Sequence, residues 1–471
     1  MSSHRVAGAP LDFAALREEL EVPGDFASAV QDEAEWSAKH VALPHEDASE
    51  IPFVTVDPAG SRDLDQAVHI ARADGGYLVS YAIADVASFV KPGSALDEET
   101  QRRGATLYFP DIRVPLHPPV LSEGAASLLP DQLRPAVLWR IGLDAIGEVR
   151  SIDVRRARVR SVQQLDYDVL QKLLDAGKAP DAVALLDEVG KLRLTLARGR
   201  HAIDLDVPEQ IVERDGAGTW QIALREPLPV ESYNAQLSLL TGMCAATLML
   251  DASCGILRTV PPPEAGSVEA LKRAAHALGV DWPDGAAPGD VLAKLDRSNS
   301  RHVAFIEHAV ALLRGAGYTS FDGTSPEQPL HAGIAAPYAH VTAPLRRLVD
   351  RYGSEVCLAV HAGRPVPRWV LERLPQLPDE MAAADRRAHE VDRAVIDMTE
   401  AWLLSSRVGQ SFPATVIDAN AHSGTIVIDD PAVRARCEGA RLPVGEKIQA
   451  KLIEADLAKR AVRFEAQGKR N

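Results

Sequence analysis

Cysteine is scarce in this 471-residue sequence, and the four present, Cys244, Cys254, Cys357 and Cys437, form no C-x-x-C pair. That pattern excludes a zinc knuckle and a disulfide framework and reads as ordinary buried thiols. Aromatic residues are few, at 5%, against 46% hydrophobic and 25% charged, a balance typical of packed globular proteins. No stretch approaches the roughly 20 apolar residues of a bilayer span. The start MSSHRVAGAPLDFAALREEL lacks a signal-peptide apolar region. A cytoplasmic location without a membrane partner is therefore expected. Basic charge is lacking overall, since the net charge is −15. This excludes a generic polyanion-binding surface, so any nucleic-acid site must be local.

The charge that is present is uneven. Residues 1–50 carry eleven acidic and three basic side chains, whereas residues 441–471 carry eight basic and four acidic ones. A second basic cluster, Arg150, Arg155, Arg156, Arg158 and Arg160, lies on the strand-like run VRSIDVRRARVRS.

The length implies more than one domain. Residues 12–40 read as two short helices parted by the breaker Pro23-Gly24. The expectation for 1–50 is thus a small helical module, resembling a helix-turn-helix. IPFVTV reads as a buried strand, and Gly75-Gly76 as the turn between two more. Residues 377–407 place Ala388, Val391, Val395, Met398, Trp402 and Leu403 on one apolar helix face. From Gly409 onward, short β runs broken by turns fit a five-stranded OB barrel. The expected fold class is α+β: a mixed α/β catalytic domain over 51–408 and an OB barrel over 409–471.

The densest chemistry sits in VTVDPAGSRDLDQAV, where a buried strand runs into a turn carrying Asp57, Asp63 and Asp65. In extended backbone Asp63 and Asp65 point the same way, and crowded carboxylates beside an apolar strand repel one another. A divalent cation removes that repulsion. A cluster of acids without His or Cys suits a hard, octahedral ion such as Mg²⁺, completed by water and substrate phosphate. Such an ion could serve in-line displacement at a phosphodiester. An exposed acidic turn without ligand is the alternative; EF-hand spacing is absent.

These residues and several later motifs resemble the ribonuclease II / ribonuclease R (RNB) family. DPAGSRDLDQAV is similar to the family loop D-x-x-x-x-x-D-[FLM]-D-D-A. YAIADVASFVKPGSALDEETQRRGATLYFPDIRVPLHPPVLSEGAASLLP, RGRHAIDLDVPE and YAHVTAPLRRLVDR resemble its later motifs in order. The resemblance spans roughly residues 50–410.

It implies a catalytic domain around an RNA channel and a processive 3′-to-5′ hydrolytic exoribonuclease that releases nucleoside 5′-monophosphates. The implied partner is single-stranded RNA or a 3′ overhang, and the implied state is a monomer. By the same resemblance Asp57, Asp63, Asp65 and Gln66 hold Mg²⁺, with Mn²⁺ as the alternative ion, and Asp65 and Arg346 are catalytic. Tyr108, Tyr167, Arg346, Arg347 and Asp392 contact RNA. His340 reads as structural.

Several positions depart from the family. Gln66 stands where a fourth aspartate is usual, Ala235 and Gln236 replace paired glutamates, and Leu205 replaces a phenylalanine of some relatives. The fifty residues ahead of the catalytic domain are too few for the usual cold-shock barrels. RNA access is therefore expected over the C-terminal barrel and the basic strand near Arg155. A family member that binds RNA without cutting it is the rival reading.

Overall fold

In the computed structural model, residues 11–205, 209–216, 218–296 and 299–467 are described; Asp206–Pro208 of the RGRHAIDLDVPE motif lie outside them, as do residues 1–10 and 468–471. Alternating apolar residues in the first strands require two separate cores, and a closed barrel provides them. Strands β1 (Phe53–Asp57), β2 (Gln66–Ala73), β3 (Gly76–Ala84), β6 (Leu133–Asp144) and β7 (Val149–Asp166) close in that order. The short β4 (Leu107–Tyr108) and β5 (Arg113–Val114) pair beside the barrel. Val54, Val56, Val68, Tyr81, Ile83, Trp139 and Ile141 enter one core. Their neighbours Phe53, Ala67, Ala82, Ala84, Leu138 and Ala157 enter another.

Parallel pairing of β1 with β7, from Phe53–Ser161 to Asp57–Asp166, closes the barrel. The β2–β3 turn needs its glycines: Gly75 has φ +73°, and a Cβ on Gly76 would lie 2.0 Å from the Leu143 carbonyl oxygen.

Helix α1 (Phe13–Glu19) lies beside the barrel against the long C-terminal helix, while α2 (Ser28–His40), α3 (Ala95–Arg103), α4 (Tyr167–Asp175), α5 (Leu186–Gly199) and α6 (Pro229–Asp251) cover the barrel. The first two fall where the sequence places them. They bury into different cores, however, α1 through Phe13 and Leu16 beside Trp220 and Val391, α2 through Val30 and Ala34 beside Phe53. The helix-turn-helix expectation is corrected accordingly, since each helix is a buttress of the larger fold. Arg103 fastens their linker, donating to the Gly24 carbonyl at 2.6 Å while its guanidinium lies over the Phe26 ring.

The long helix Leu377–Leu404 presents Val391, Val395 and Trp402 to the core, as its spacing predicts. It leads into strands Ser411–Ala419, Ser423–Asp429, Ala432–Glu438, Lys447–Asp456 and Ala461–Ala466, which form a second closed barrel, OB-like in its five strands. Glu400 ties the junction, accepting from the Arg434 amide (3.0 Å) and from Gln210 Nε2 (3.1 Å).

Four of the five arginines on the basic strand are paired, and exposed Arg160 has no ion pair among the described residues. Arg150 pairs with Asp144, Arg155 with Glu46 and Asp153, Arg156 with Asp85 and Glu355, and Arg158 with Asp47. The acidic stretch ahead of β1 neutralises part of this strand, which corrects the expectation of RNA access there. All four cysteines are buried thiols, as expected. None of the described helices is long and apolar enough to cross a membrane.

Candidate active site

The loop between β1 and β2 is held by its one buried apolar residue. Leu64 is fully buried; its amide donates to Ser127 Oγ (2.9 Å), and its carbonyl accepts from the Leu128 amide (3.0 Å). Alternation then sends the side chains of Asp63 and Asp65 to the opposite side from Leu64. Asp57, at the end of β1, joins them in a cavity of about 650 Å³.

The opposite wall comes from the turn before the Leu348–His361 helix. Asp65 Oδ1 accepts from the Leu345 amide (2.7 Å), so this carboxylate fixes the residue next to Arg346. Arg346 is 46% exposed in its side chain, with Nε 3.7 Å from Asp65 Oδ2. A guanidinium thus stands at the cavity wall within one residue of its anchor.

The electrostatics follow from burial. Desolvation, reinforced by the charge of Asp63 and opposed by Arg346, pushes the Asp57 carboxyl up to about 7. Burial also raises Asp65 well above the usual carboxylate range, against the opposing pull of Arg346 and the Leu345 amide. Asp57 Oδ2 is buried without a hydrogen-bond partner. A buried carboxylate oxygen lacking a donor, among oxygen-only ligands, is the chemistry a hard cation satisfies. The fit is incomplete: among the described residues, no three Asp, Glu, His or Cys side chains converge as a ready-made metal cluster. Asp57, Asp63 and Asp65 can hold an ion with water completing its shell.

Two expected site residues are placed differently. Gln66 is satisfied at both ends: its Nε2 donates to the Thr342 carbonyl (2.7 Å), and its Oε1 accepts from the Tyr81 hydroxyl, with Ser238 Oγ at 3.3 Å. It lines the cavity but is not turned to it as a ligand, which corrects that expectation. Arg347 makes a two-bond pair with buried Asp350, both contacts at 2.9 Å, and Asp350 also accepts from the Ala343 amide. This pair builds the turn presenting Arg346, so Arg347 is a structural residue and not an RNA contact.

The other residues line adjoining hollows that share wall residues with the acidic cavity. Tyr108, 44% exposed, stands at the cavity edge and is shared with a neighbouring hollow lined by Asp392, Ile211, Leu224 and Val427. Asp392 belongs to that neighbouring hollow and not to the acidic cavity. Tyr167 bounds the acidic cavity at the start of α4, within 3.3 Å of Asn234 Nδ2 on α6. It also borders a third hollow, which Ala235 and Gln236 line. Leu205 packs against the Phe305 cluster. His340 is buried against Tyr318 Oη at 2.7 Å, and burial holds it neutral, as expected.

Sequence reasoning missed Arg113. Its Nη1 pairs with Asp63 Oδ1, and β4–β5 pairing sets Arg113 directly opposite Tyr108. A tight hairpin across FPDI was the available signal.

A cavity with a carboxylate floor, an arginine wall and an aromatic edge, on a barrel-plus-OB scaffold, brings together the groups that handling a phosphodiester requires. The model of the RNB domain matches residues 45–356, and that of the RNase II-type exonuclease C-terminal S1 domain matches residues 410–467. This chain belongs to the RNB family, whose exoribonucleases are metal-dependent in general. It is similar to Exoribonuclease 2 of Edwardsiella piscicida, 30% identical over 393 residues, covering 80% of this chain and 59% of the relative. It is also similar to the exosome complex exonuclease RRP44 homolog A of Arabidopsis thaliana, 29% identical over 387 residues, covering 77% of this chain and 40% of that one. The chain thus spans about half the length of these curated relatives. Mycoplasma genitalium RNase R in complex with ribose-methylated single-stranded RNA shares the fold, with TM-score 0.86 and 19% identity over 96% of this chain and 77% of the other.

Proposed function

We propose that this protein degrades single-stranded RNA, or 3′ overhangs, from the 3′ end and releases nucleoside 5′-monophosphates. The observation that carries the reading is the placement of Arg346 across one cavity from Asp57, Asp63 and Asp65, with Tyr108 at its edge. Family membership supports the same reading.

Asp57, Asp63 and Asp65 would hold Mg²⁺, which supplies Lewis-acid activation of water and neutralises phosphate charge when bound. Mn²⁺ has the same preference for oxygen ligands. Arg346 grips a non-bridging phosphate oxygen and offsets the negative charge that grows during displacement. Asp65, tied to the Leu345 amide, holds that arginine in register with the acidic loop. Tyr108 stacks on the terminal base, which positions the last phosphodiester over the carboxylates. Tyr167 borders the path of the preceding nucleotides. The hollow beyond Tyr108, where the OB barrel meets Asp392 on the long helix, is the approach for the strand. Backbone contacts make recognition tolerant of sequence, and a channel must exclude a closed duplex.

We further assign residues 51–408 to the catalytic unit and 409–471 to the RNA-binding OB unit, acting as a monomer. Four buried, unpaired thiols suit a reducing, cytoplasmic compartment.

A rival reading, RNA binding without cleavage, draws on the neutral and fully engaged Gln66. Incubating the full chain with Mg²⁺ and unlabelled single-stranded RNA, then resolving products by mass, separates the two. Nucleoside 5′-monophosphates from RNA but not from single-stranded DNA are expected. Bound but intact RNA under Mg²⁺ and Mn²⁺ alike would favour the rival.

A further inference from the structure

Sites that process phosphodiesters by displacement use one or two divalent ions, and each ion brought into a partly buried site must be balanced by negative charge from the protein or the substrate. Here the supply is small. Four carboxylates line the cavity, but Glu231 is taken up by Arg225 Nη1 (2.7 Å) and the Leu228 amide (2.9 Å), which leaves Asp57, Asp63 and Asp65 beside two guanidiniums, Arg113 and Arg346. One of the three acids is already engaged, because Asp63 Oδ1 is paired with Arg113 Nη1. The neighbouring polar residue, Gln66, carries no charge, and its amide oxygen is turned to Tyr81 and Ser238 rather than to the loop. Its amide nitrogen is held by the Thr342 carbonyl.

We propose that this site takes one divalent cation and not two, with the Arg113 guanidinium providing the positive charge at Asp63 that a second ion would otherwise bring. The inference rests on the proposed function and concerns the metal count of that same site. Charge balance points the same way. With Glu231 balanced by Arg225, the remaining three carboxylates and two guanidiniums leave the cavity at −1, one divalent ion brings it to +1, and the substrate phosphodiester brings it to neutrality. A second divalent ion would leave a net charge of +2 with substrate bound, in a partly buried cavity where unbalanced charge is strongly unfavourable.

The single ion belongs on the Asp57 side. Asp57 Oδ2 is the buried oxygen without a partner, whereas Asp63 is drawn toward β5 by Arg113. Arg113 is held in place by the strand pairing that sets it opposite Tyr108. The charge beside Asp63 is therefore fixed and does not dissociate, unlike an exchangeable ion. Arg113 acts as a positioning residue for Asp63, not as a group that reacts.

The test counts ions and does not depend on turnover. The chelator-stripped full chain is titrated with Mn²⁺ alone, and free Mn²⁺ is read by electron paramagnetic resonance. One bound ion per chain is expected. The double variant Gln66→Asp with Arg113→Gln, which restores a carboxylate and removes the fixed cation, is expected to bind two. Arg113→Gln alone is expected to keep one ion, bound about tenfold more tightly because a unit positive charge has been removed nearby. Two ions bound by the unaltered chain, or one by the double variant while its thermal unfolding stays unchanged, would overturn the proposal. The RNA assay is read separately. Cleavage with two bound ions sinks the count and leaves the function standing, whereas one bound ion with intact RNA does the reverse.

Discussion

Two adjacent arginines illustrate how little residue type says about role. Arg346 and Arg347 are neighbours, yet one stands at the cavity wall while the other is locked to Asp350. Replacing Arg346 by Ala should cut kcat on single-stranded RNA by about a hundredfold, with the melting temperature nearly unchanged, because an exposed phosphate-gripping group is lost. Arg347→Ala should instead cost roughly 3 kcal/mol in denaturant unfolding, since it leaves Asp350 buried without its partner. The motif A-P-L-R-R singles out Arg346 by resemblance and leaves Arg347 open between an RNA contact and a structural partner of Asp350. That choice is made by Asp350, one turn along the helix. Arg113 was illegible for a related reason: only the β4–β5 register carries it to Asp63.

The raised carboxyl of Asp57 sets a pH dependence at the same scale. Its folded pKa, about 7, lies above the ordinary 3.8, so the protonated form favours the metal-free fold. The stability it contributes is complete below about pH 4 and is lost as pH rises through 7. Metal binding must displace that proton. Mn²⁺ affinity should therefore rise between pH 6 and pH 8, and calorimetry in two buffers of different ionisation enthalpy should show proton release at pH 6 that fades by pH 8. Affinity independent of pH over that range would contradict the assignment of Asp57 as a ligand.

Among elements, the acidic loop and the arginine turn are far apart in sequence and meet through backbone contacts. The Leu345 amide donates to Asp65, the Thr106 amide donates to the Arg346 carbonyl, and the Leu348 amide donates to the Gly104 carbonyl. These bonds stitch β4, and hence Tyr108, to the same turn. Tyr108→Ala should leave cleavage running but lengthen the limit product by one or more nucleotides, read on a sequencing gel, because the terminal base loses its stacking partner. Periodicity made the strands, the long helix and the second barrel legible, since each must hide an apolar face. It could not reveal that the strand run 53–166 closes on itself, because closure depends on the parallel β1–β7 pairing across more than a hundred residues. Nor could a run of arginines announce its full neutralisation: besides Asp153 within the strand, the acids that pair with Arg155 and Arg158 are Glu46 and Asp47, outside it.

At the scale of the whole molecule, the question is how the OB barrel is held beside the hollow that Tyr108 and Asp392 line. Glu400 sits at the seam, accepting from the barrel amide of Arg434 and from Gln210 of the strand Glu209–Arg214. Burial is the leading cause that lifts its carboxyl to about 7, with both hydrogen bonds opposing. A raised folded value means stability that is present below about pH 4.5 and lost as pH rises through 7. Glu400→Gln keeps an accepting oxygen and removes the titration. It should raise the melting temperature by a few degrees at pH 8 and leave it unchanged at pH 5, as scanning calorimetry would record. The C-terminal barrel was readable from its short β runs and turns, but a seam residue such as Glu400 is readable only once the barrel is docked.

The most direct test is a time course on 5′-labelled single-stranded RNA with Mg²⁺, beside an EDTA control and the Asp65→Asn variant. Collapse of the label into one short product, abolished by EDTA and slowed about a thousandfold or more by Asp65→Asn, is the expected result. Full-length RNA that persists with Mg²⁺, or shortening that survives both EDTA and Asp65→Asn, would contradict 3′-to-5′ hydrolysis at this carboxylate site.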